Sequence, residues 1–312
     1  MPIIYHMEPT RPPMSWEAFC RETPERSIAV DGFVDGPPSF DLASLHFNFD
    51  HHRGPTRIAM LCSAEQVREA IHDGLLELLE SDARDTHVFM NDNDPDVALS
   101  KFALDHPWIV KPKLGSAVNR LFWLVGMMDK RSGLIDLPGE IDIIGKAAWM
   151  FEAYWEYRLT GAIDRKVASE HLRVLADVEG RIGDFVAGRG ESAPIQDAYE
   201  TLYRGSGYEI VREYGPHCRM KMARRGLRAF VSARQTPEDR WVYTLCRYSP
   251  FIYWFPVPEI AEALNQDEDP DVLFGGGDTV YGNARGRGST RDPREIARAI
   301  DAYLADHHLS PP

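Results

Sequence analysis

The chain has 312 residues, which is long for one compact core, so two domains are expected. A hydrophobic content of 44% with 27% charged residues is typical of a globular protein, and no apolar run reaches the roughly 18 residues that span a bilayer. The net charge of −13 excludes a protein that coats nucleic acid with a basic surface, although a small basic pocket stays compatible with it.

The cysteines and the N-terminus predict a location. Four scattered cysteines with no CxxC pair indicate reduced thiols in a cytoplasmic protein. MPIIYHMEPTRPPM lacks the basic and apolar segments of a signal peptide, so we expect none, and we expect no membrane partner.

Strand-like and helix-like runs alternate through the first 130 residues. The predicted strands are SIAVDGF (27–33), LHFNFDHH (45–52) and THVFMNDNDPD (86–96), the last running into an acidic loop. The predicted helices are 62–82, with Ser63 and Gln66 at capping-box spacing, 97–104, and a buried helix or helix–strand transition at 116–128. This alternation predicts an α/β fold whose parallel sheet binds ligands beyond the carboxyl ends of its strands.

The second half of the chain has a different pattern. Residues 140–189 are helical and more polar, GRGESAP (188–194) indicates a boundary, and β-like runs follow before a final amphipathic helix. We therefore predict a parallel-sheet catalytic domain at 1–150, a helical connector at 151–192 and a smaller α+β substrate-binding domain at 193–312.

Acidic and histidine residues follow the predicted strands. They are Asp31, Asp50, His51, His52, Asp92, Asp94 and Asp96, with Asp129 in VGMMDKRSG after the third helix. Carboxylates and imidazoles without nearby thiols suit Mn²⁺, Mg²⁺ or catalytic Zn²⁺ rather than structural zinc. Two ions about 3.5–4 Å apart would activate water and bind a phosphoryl group, which is the chemistry of phosphoester hydrolysis.

Each motif also has an ordinary structural interpretation. Asp-His-His alone is typical of a polar turn, NDNDPD of a turn and helix N-cap, and Asp31-Gly32 of a strand-ending turn. VGMMDKRSG fits a helix C-terminus capped by Gly133. Singly each motif favours that interpretation, whereas their joint occurrence at strand ends favours a metal site.

At these residues the chain resembles the DHH phosphoesterase superfamily, which includes RecJ-type exonucleases, oligoribonucleases and family II inorganic pyrophosphatases. AVDGFVD followed by FNFDHHRG is similar to the family's strand-end Asp and Asp-His-His, DPDVALSKFAL to its Asp-x-Asp motif, and VGMMDKRSG to its last Asp motif. The likeness covers residues 27–135, and the last forty more weakly.

The resemblance implies roles for these residues and a cofactor of two Mn²⁺ or Mg²⁺ ions. It makes Asp31 a bridging ligand and His51 a ligand, and Asp94, Asp96 and Asp129 complete the two metal shells. It makes His52 a phosphate contact or proton-transfer partner, with Asp50 orienting a histidine or fixing the turn.

The chain departs from the family pattern in two ways. Asp-x-Asp follows Asp-His-His here rather than preceding it, and Met90 stands where the family has a histidine, a place that Asp92 or Asn91 could fill. Alternatively, DGFVDG with Asp31 and Asp35 is a degenerate first motif.

The C-terminal loop GGGDTVYGNARGRGSTR is the predicted substrate-binding segment. Many family members carry Gly-Gly-Gly-His with a nearby arginine in a C-terminal domain, and this loop has Asp278 in place of the His. Glycine N–H groups and arginine forks suit phosphate, and a flexible surface loop is the alternative. The candidate residues are Gly275, Gly276, Gly277, Arg285, Arg287 and Ser289.

The expected function is metal-dependent hydrolysis of a small phosphorylated substrate or a short single-stranded oligonucleotide. The alternative is a catalytically degenerate protein that binds a nucleotide or metal as a sensor or scaffold. A hydrolase of another class, such as an amidohydrolase, is disfavoured because its strand-end His-x-His is absent. A homodimer is left open.

Overall fold

The computed structural model describes residues 2–54, 57–80, 84–110, 117–137, 142–283 and 287–312. The chain divides into two compact units. Unit 1 comprises Met1–Asp129, Gly139–Arg158 and Lys166–Pro194, and unit 2 comprises Lys130–Pro138, Leu159–Arg165 and Ile195–Pro312. None of the described helices combines the length and apolar character needed to cross a bilayer.

Unit 1 holds a five-stranded sheet and helices packed around it. The strands are β1 (Ile3–Met7), β2 (Ser27–Val30), β3 (Ser39–Asp41), β4 (His46–Phe49) and β5 (Thr86–Met90). The helices are α1 (Trp16–Glu22), α2 (Ser63–His72), α3 (Leu75–Leu79), α4 (Pro95–Asp105), α5 (Ala117–Lys130), α6 (Asp142–Met150), α7 (Glu152–Leu159) and α8 (Ala168–Val186).

The order of strands in this sheet is β1-β5-β2-β4-β3. β1, β5, β2 and β4 are mutually parallel, whereas β3 pairs antiparallel with β4. Every residue of β2 and β4 is buried, as expected for central strands covered on both faces. The sheet is therefore mixed rather than wholly parallel, because the short connection between β3 and β4 permits only an antiparallel pair.

The helix predicted at 62–82 is wrong in two details. It is broken between α2 and α3 at Gly74, whose φ of +105° is a left-handed value that ends a helix. Its N-cap is Cys62, whose backbone N–H donates to Glu65, so the predicted Ser63–Gln66 capping box does not form.

Unit 2 is built on a six-stranded mixed sheet in the order β10-β11-β9-β8-β7-β6. Its strands are β6 (Tyr199–Arg204), β7 (Glu209–Glu213), β8 (Ala229–Gln235), β9 (Trp241–Arg247), β10 (Gly275–Gly276) and β11 (Val280–Gly282). Its helices are α9 (Cys218–Arg224), α10 (Val257–Asn265) and α11 (Pro293–Asp306). α9 connects β7 to β8, the sheet's parallel pair.

Two separate apolar clusters line this second sheet. The larger one joins the sheet to α10 and α11 through residues such as Val231, Leu245 and Ile300. The smaller one joins it to α9 through Val211, Phe230 and Met222. The fold is thus mixed α/β, with two mixed sheets. The boundaries predicted at 150 and 192 stay predictions, and the residues of the predicted connector are shared between the two units.

Candidate metal centre

The candidate site lies where β5, β2 and β4 end side by side. The β2–β4 ladder continues one residue further, since the Asp31 backbone N–H donates to the Phe49 carbonyl at 3.0 Å. Asp50, His51 and His52 follow β4 directly, and residues 91–96 follow β5. The carboxyl ends of neighbouring parallel strands are where an α/β sheet commonly binds its ligands, and ligand binding at this edge stays a prediction.

His51 is at the centre of the first group of possible metal ligands. Its Nε2 lies 2.8 Å from Asp129 Oδ2, 3.5 Å from Asp31 Oδ1 and 3.9 Å from Asp96 Oδ2. The His51 side chain is fully buried. His51, Asp96 and Asp129 each offer one ligand atom, and these atoms lie within 4.8 Å of one another.

A second group consists of Asp31, His51 and His52. Asp31 Oδ1 lies 3.7 Å from His52 Nδ1 and also accepts a hydrogen bond from Ser63 Oγ at 3.1 Å. Asp31 takes a φ of +51°, a left-handed value that Asp tolerates better than most residues. The Asp31 carboxylate therefore lies beside both imidazoles, the position expected of a ligand shared by two ions.

Asp50 organises the turn that carries both histidines. Its Oδ1 accepts hydrogen bonds from the His51 backbone N–H at 2.7 Å and the His52 backbone N–H at 3.1 Å, and it lies 2.7 Å from His52 Nδ1. Asp50 thus holds the turn through its contacts with backbone N–H groups and orients the imidazole of His52 through its contact with Nδ1. His52 is 40% exposed at its side chain, in contrast to the buried His51.

Asp96 and Asp94 both serve helix N-termini. Asp96 accepts from the backbone N–H groups of Ser63 and Ala64, at the first turn of α2, at 2.8 and 2.7 Å. Asp94 is the N-cap of α4, and its Oδ1 accepts from the N–H groups of Asp96 and Val97 at 2.9 Å each. Asp96 also faces His51, whereas Asp94 belongs to neither ligand group and makes the capping contact proposed as an alternative for NDNDPD.

Arg57 is a buried cation at the site that the sequence analysis missed. Its Nη2 donates to both carboxylate oxygens of Asp129, at 2.9 and 3.1 Å, and lies 3.1 Å from His51 Nε2. A guanidinium only donates, so the Arg57 contact fits an unprotonated Nε2, whereas the Asp129 contact fits a protonated one. The only sequence signal for Arg57 was its place in HFNFDHHRGPTR, five residues beyond the second histidine.

The protonation of the site reflects its crowding. Burial lowers the pKa of His51, but Asp129 and Asp31 outweigh burial and raise that pKa to about 10. Burial, together with Asp31 and Asp129, raises the pKa of Asp96 to about 7. Burial also acts to raise the pKa of Asp129, but Arg57 and His51 reverse this and hold it well below its usual range.

The donor set fits a divalent cation. Three carboxylates have an oxygen within 3.9 Å of the Nε2 atom of the His51 imidazole. Mn²⁺ accepts this combination of oxygen and imidazole ligands. A cation at His51 Nε2 would take the nitrogen lone pair and face the carboxylates, which removes the conflict over the Nε2 proton. Within the described residues Asp50 Oδ2 and His51 Nδ1 are buried without a hydrogen-bond partner, so the surrounding shell also has spare polar capacity.

The predicted substrate-binding residues are all in unit 2. Gly275 and Gly276 form β10, and a Cβ on Gly276 would lie 2.1 Å from the Val280 carbonyl oxygen, so the hairpin requires glycine there. Arg287 pairs with Asp271. Ser289 is buried and donates to Glu268 at 2.8 Å.

The remaining candidates in that loop differ in what the structure says of them. The Gly277 N–H donates to the Val280 carbonyl at 2.9 Å, and this contact continues the hairpin. Arg285 lies outside the described residues. The role of the loop as a phosphate clamp stays a prediction.

No family model matches the chain, and no curated protein matches it significantly. The likeness to DHH phosphoesterases thus depends on the motifs quoted above and on the residues that they bring together.

Proposed function

We propose that the chain is a divalent-metal-dependent phosphoesterase. The observation that carries the proposal is the convergence of Asp31, Asp96 and Asp129 on the Nε2 atom of His51, at the carboxyl edge of the sheet. The resemblance to DHH phosphoesterases supports the same chemistry, because it assigns these four residues to metal binding.

In this proposal His51, Asp31, Asp96 and Asp129 hold two Mn²⁺ or Mg²⁺ ions. Asp31 is the shared ligand, since it is the carboxylate beside both histidines. Two such ions supply an activated water and neutralise charge on the phosphoryl group. Asp94 contributes through the N-terminus of α4, which positions Asp96.

His52 transfers a proton in this scheme. Its Nδ1–H donates to Asp50, and this fixes the tautomer whose Nε2 carries the lone pair. A half-exposed imidazole of fixed tautomer is suited to take a proton from the attacking water or to return one to the leaving oxygen. Arg57 would turn from His51 towards the substrate if a cation were held by His51, and its guanidinium edge would fit phosphoryl oxygens.

The proposed substrates are a small nucleotide or a short single-stranded oligonucleotide, and the proposed location is the cytoplasm. An acidic chain favours a small or end-bound substrate over a long duplex. Among the described residues Arg57 is the arginine that contacts this cluster of three carboxylates, an arrangement that favours an anionic ligand bound together with metal ions.

The test is hydrolysis by metal-stripped protein with Mn²⁺ or Mg²⁺ added back. We expect product from at least one of pyrophosphate, a cyclic dinucleotide, a nucleotide phosphate or a five-nucleotide oligomer. We expect no product after His51→Ala. Exposed His72 lies outside the site, so His72→Ala is the matched control. Absence of turnover on all four substrates in both metals would overturn the proposal.

A second candidate is a ligand-binding protein without catalysis. The observation that favours it is the contact of Arg57 with His51 and Asp129, in which a protein cation occupies the place assigned to the metal. Metal content discriminates the enzyme from a non-catalytic protein that binds a nucleotide but no metal, and the hydrolysis test above discriminates it from one that binds metal. A chain purified from Mn²⁺-supplemented medium retains bound metal if it is the enzyme and retains none if Arg57 is the permanent partner.

A further inference from the structure

One segment of this acidic chain is strongly basic. Residues 218–228, CRMKMARRGLR, contain one lysine and four arginines and no acidic residue, in a chain of net charge −13. They form α9 and the turn that leads from α9 into β8. The segment is wholly within unit 2.

The apolar residues of this segment face inward and most of its cations face outward. Cys218, Met222 and Ala223 are buried in the smaller apolar cluster. Arg219 is turned inward and pairs with Glu213. The remaining cations are Lys221, Arg224, Arg225 and Arg228.

The positive charges of these four residues outnumber the carboxylates that contact them in the described part of the chain. Asp197 contacts both Lys221 and Arg224, at 3.2 and 3.6 Å, so one carboxylate is shared by two cations. Among the residues that the structure describes, Arg228 Nη1 is buried and has no hydrogen-bond partner. The surface therefore keeps a net positive charge that an external anion can neutralise.

Tyrosine rings hold the arginines in place. The Arg225 guanidinium lies 5.8 Å from the centroid of the Tyr199 ring. The Arg228 and Arg131 guanidinium carbons each lie 4.8 Å from the centroid of Tyr248. Arg131 Nη1 also donates to the Tyr248 hydroxyl and Arg225 Nη1 to the Tyr199 hydroxyl. These contacts fix the guanidinium planes, and the other N–H groups of the two arginines can donate to phosphate oxygens.

Two exposed aromatic side chains follow Tyr248 closely in the sequence. Phe251 is 75% exposed and Tyr253 is 57% exposed, although both follow a buried strand closely in sequence. Large apolar rings that stay in solvent are typical of surfaces on which nucleobases stack.

We propose that this surface binds single-stranded nucleic acid. Its phosphates lie along the basic strip, defined as Lys221, Arg224, Arg225, Arg228 and Arg131, and its bases stack on Phe251 and Tyr253. The assignment of that nucleic acid as a substrate rests on the proposed function, whereas the binding itself does not.

Three features favour this ligand over other anions. Arginine predominates over lysine in the strip, and the planar guanidinium matches phosphate bidentately. The exposed rings of Phe251 and Tyr253 need unpaired bases for stacking, which a duplex does not offer. Insertion into an anionic membrane would need an apolar face exposed on the basic helix, but Met220, Met222 and Ala223 of α9 are buried.

The experiment measures fluorescence anisotropy of a labelled fifteen-nucleotide single strand in EDTA, over a range of salt concentrations. Arg224→Ala with Arg225→Ala removes two exposed cations and should weaken binding about tenfold or more. It should lower the slope of log K against log salt by about 1.4, since each phosphate contact of a single strand contributes about 0.7. Arg294→Ala with Arg298→Ala, which removes two exposed arginines of α11, is the matched control and should change neither quantity.

The aromatic part of the proposal has its own variant. Phe251→Ala with Tyr253→Ala should weaken binding at least about fivefold and leave the salt slope unchanged, because stacking releases no counterions. A far-ultraviolet circular dichroism spectrum and an unfolding midpoint for each variant confirm that the fold is retained.

Several results would overturn the proposal. They are absence of binding by the unsubstituted protein, an equal loss in the α11 control, and equally tight binding of duplex DNA, of an acidic peptide or of vesicles with an anionic lipid. The binding assay in EDTA tests this surface separately from the proposed function, because hydrolysis would require a metal ion that EDTA removes. Binding without hydrolysis in Mn²⁺ contradicts only the phosphoesterase, and hydrolysis without binding contradicts only the surface.

Discussion

Buried charges are arranged in opposite ways in the two units. In unit 2, Glu213 accepts hydrogen bonds from two nitrogens of Arg219 and from Ser232, and Arg219 also donates to the Ser132 carbonyl at 2.8 Å. In unit 1, three carboxylates surround His51 and the single guanidinium of Arg57. The first arrangement is complete in itself and stabilises the fold, whereas the second has an excess of acceptors that a further cation would satisfy.

The largest effect should come from breaking the complete pair. Arg219→Ala leaves Glu213, whose side chain is 15% exposed, without its cation and should lower the free energy of unfolding by up to about 3–5 kcal/mol, the range for a buried pair. Equilibrium unfolding in urea measures this change. The double variant Arg219→Met with Glu213→Gln removes both charges and should regain most of the loss, so an equal loss in both variants would contradict the account.

In the cluster around His51 the main effect should be on metal affinity rather than on the free energy of unfolding. His51→Ala should weaken Mn²⁺ binding more than about 100-fold, the upper end for residues that only support a ligand. The metal-free protein should also lose some stability at pH 7, because the substitution removes an imidazole whose raised pKa reflects its contacts with Asp129 and Asp31. Titration with Mn²⁺ followed by electron paramagnetic resonance measures the affinity. A smaller loss than that of Asp50→Asn would remove His51 from the ligand set.

Much of this cluster was predictable because strand ends can be located from the pattern alone. Asp31 and His51 come directly after short buried runs, and the carboxyl ends of neighbouring parallel strands meet whatever the chain order. For the same reason the altered order of Asp-x-Asp and Asp-His-His did not prevent Asp96 from reaching the site. Asp129 lies at the end of a helix, so the meeting of parallel strand ends does not account for its place in the cluster.

Other features could not be predicted from local pattern. The role of Arg57 depends on a contact with Asp129, 72 residues further along the chain. NDNDPD has one sequence but two functions, since Asp94 caps its own helix whereas Asp96 caps α2 and faces His51. Gly74 ends α2 inside a run whose hydrophobic spacing continues, because a left-handed φ leaves no trace in periodicity.

Asp50 provides a way to separate catalysis from metal binding. Asp50→Asn keeps an oxygen that accepts from the backbone N–H groups of His51 and His52 but removes the negative charge beside His52 Nδ1. We expect kcat to fall about 10- to 100-fold with Mn²⁺ affinity nearly unchanged. Asp35→Asn is the control, because Asp35 is exposed and is the acid of the alternative first motif. A larger loss in Asp35→Asn would favour that alternative.

Metal binding should depend on pH with a definite sign. The metal-free protein keeps a proton on His51 up to a pKa of about 10, and a bound cation must displace it, so affinity rises with pH. We expect up to about a tenfold gain per pH unit above pH 7, and a steeper gain below pH 7, where Asp96 must also lose a proton. Mn²⁺ titrations at pH 6, 7 and 8 test this, and a flat profile would show that His51 binds no metal.

The smallest effect should come from substitution of Arg57, the arginine inside the cluster. Arg57 donates to Asp129 and faces His51 Nε2, so it competes with a metal for the same two side chains. Arg57→Gln keeps much of the side-chain volume without the charge and should strengthen Mn²⁺ binding up to about tenfold, since a like charge a few ångströms away costs at least about 1 kcal/mol. Hydrolysis at saturating metal should fall, because the same guanidinium would contact the phosphoryl oxygens of the substrate. The enzyme is thus expected to bind metal better and react more slowly after this substitution, whereas a non-catalytic protein in which Arg57 is the permanent partner would lose stability and gain no metal.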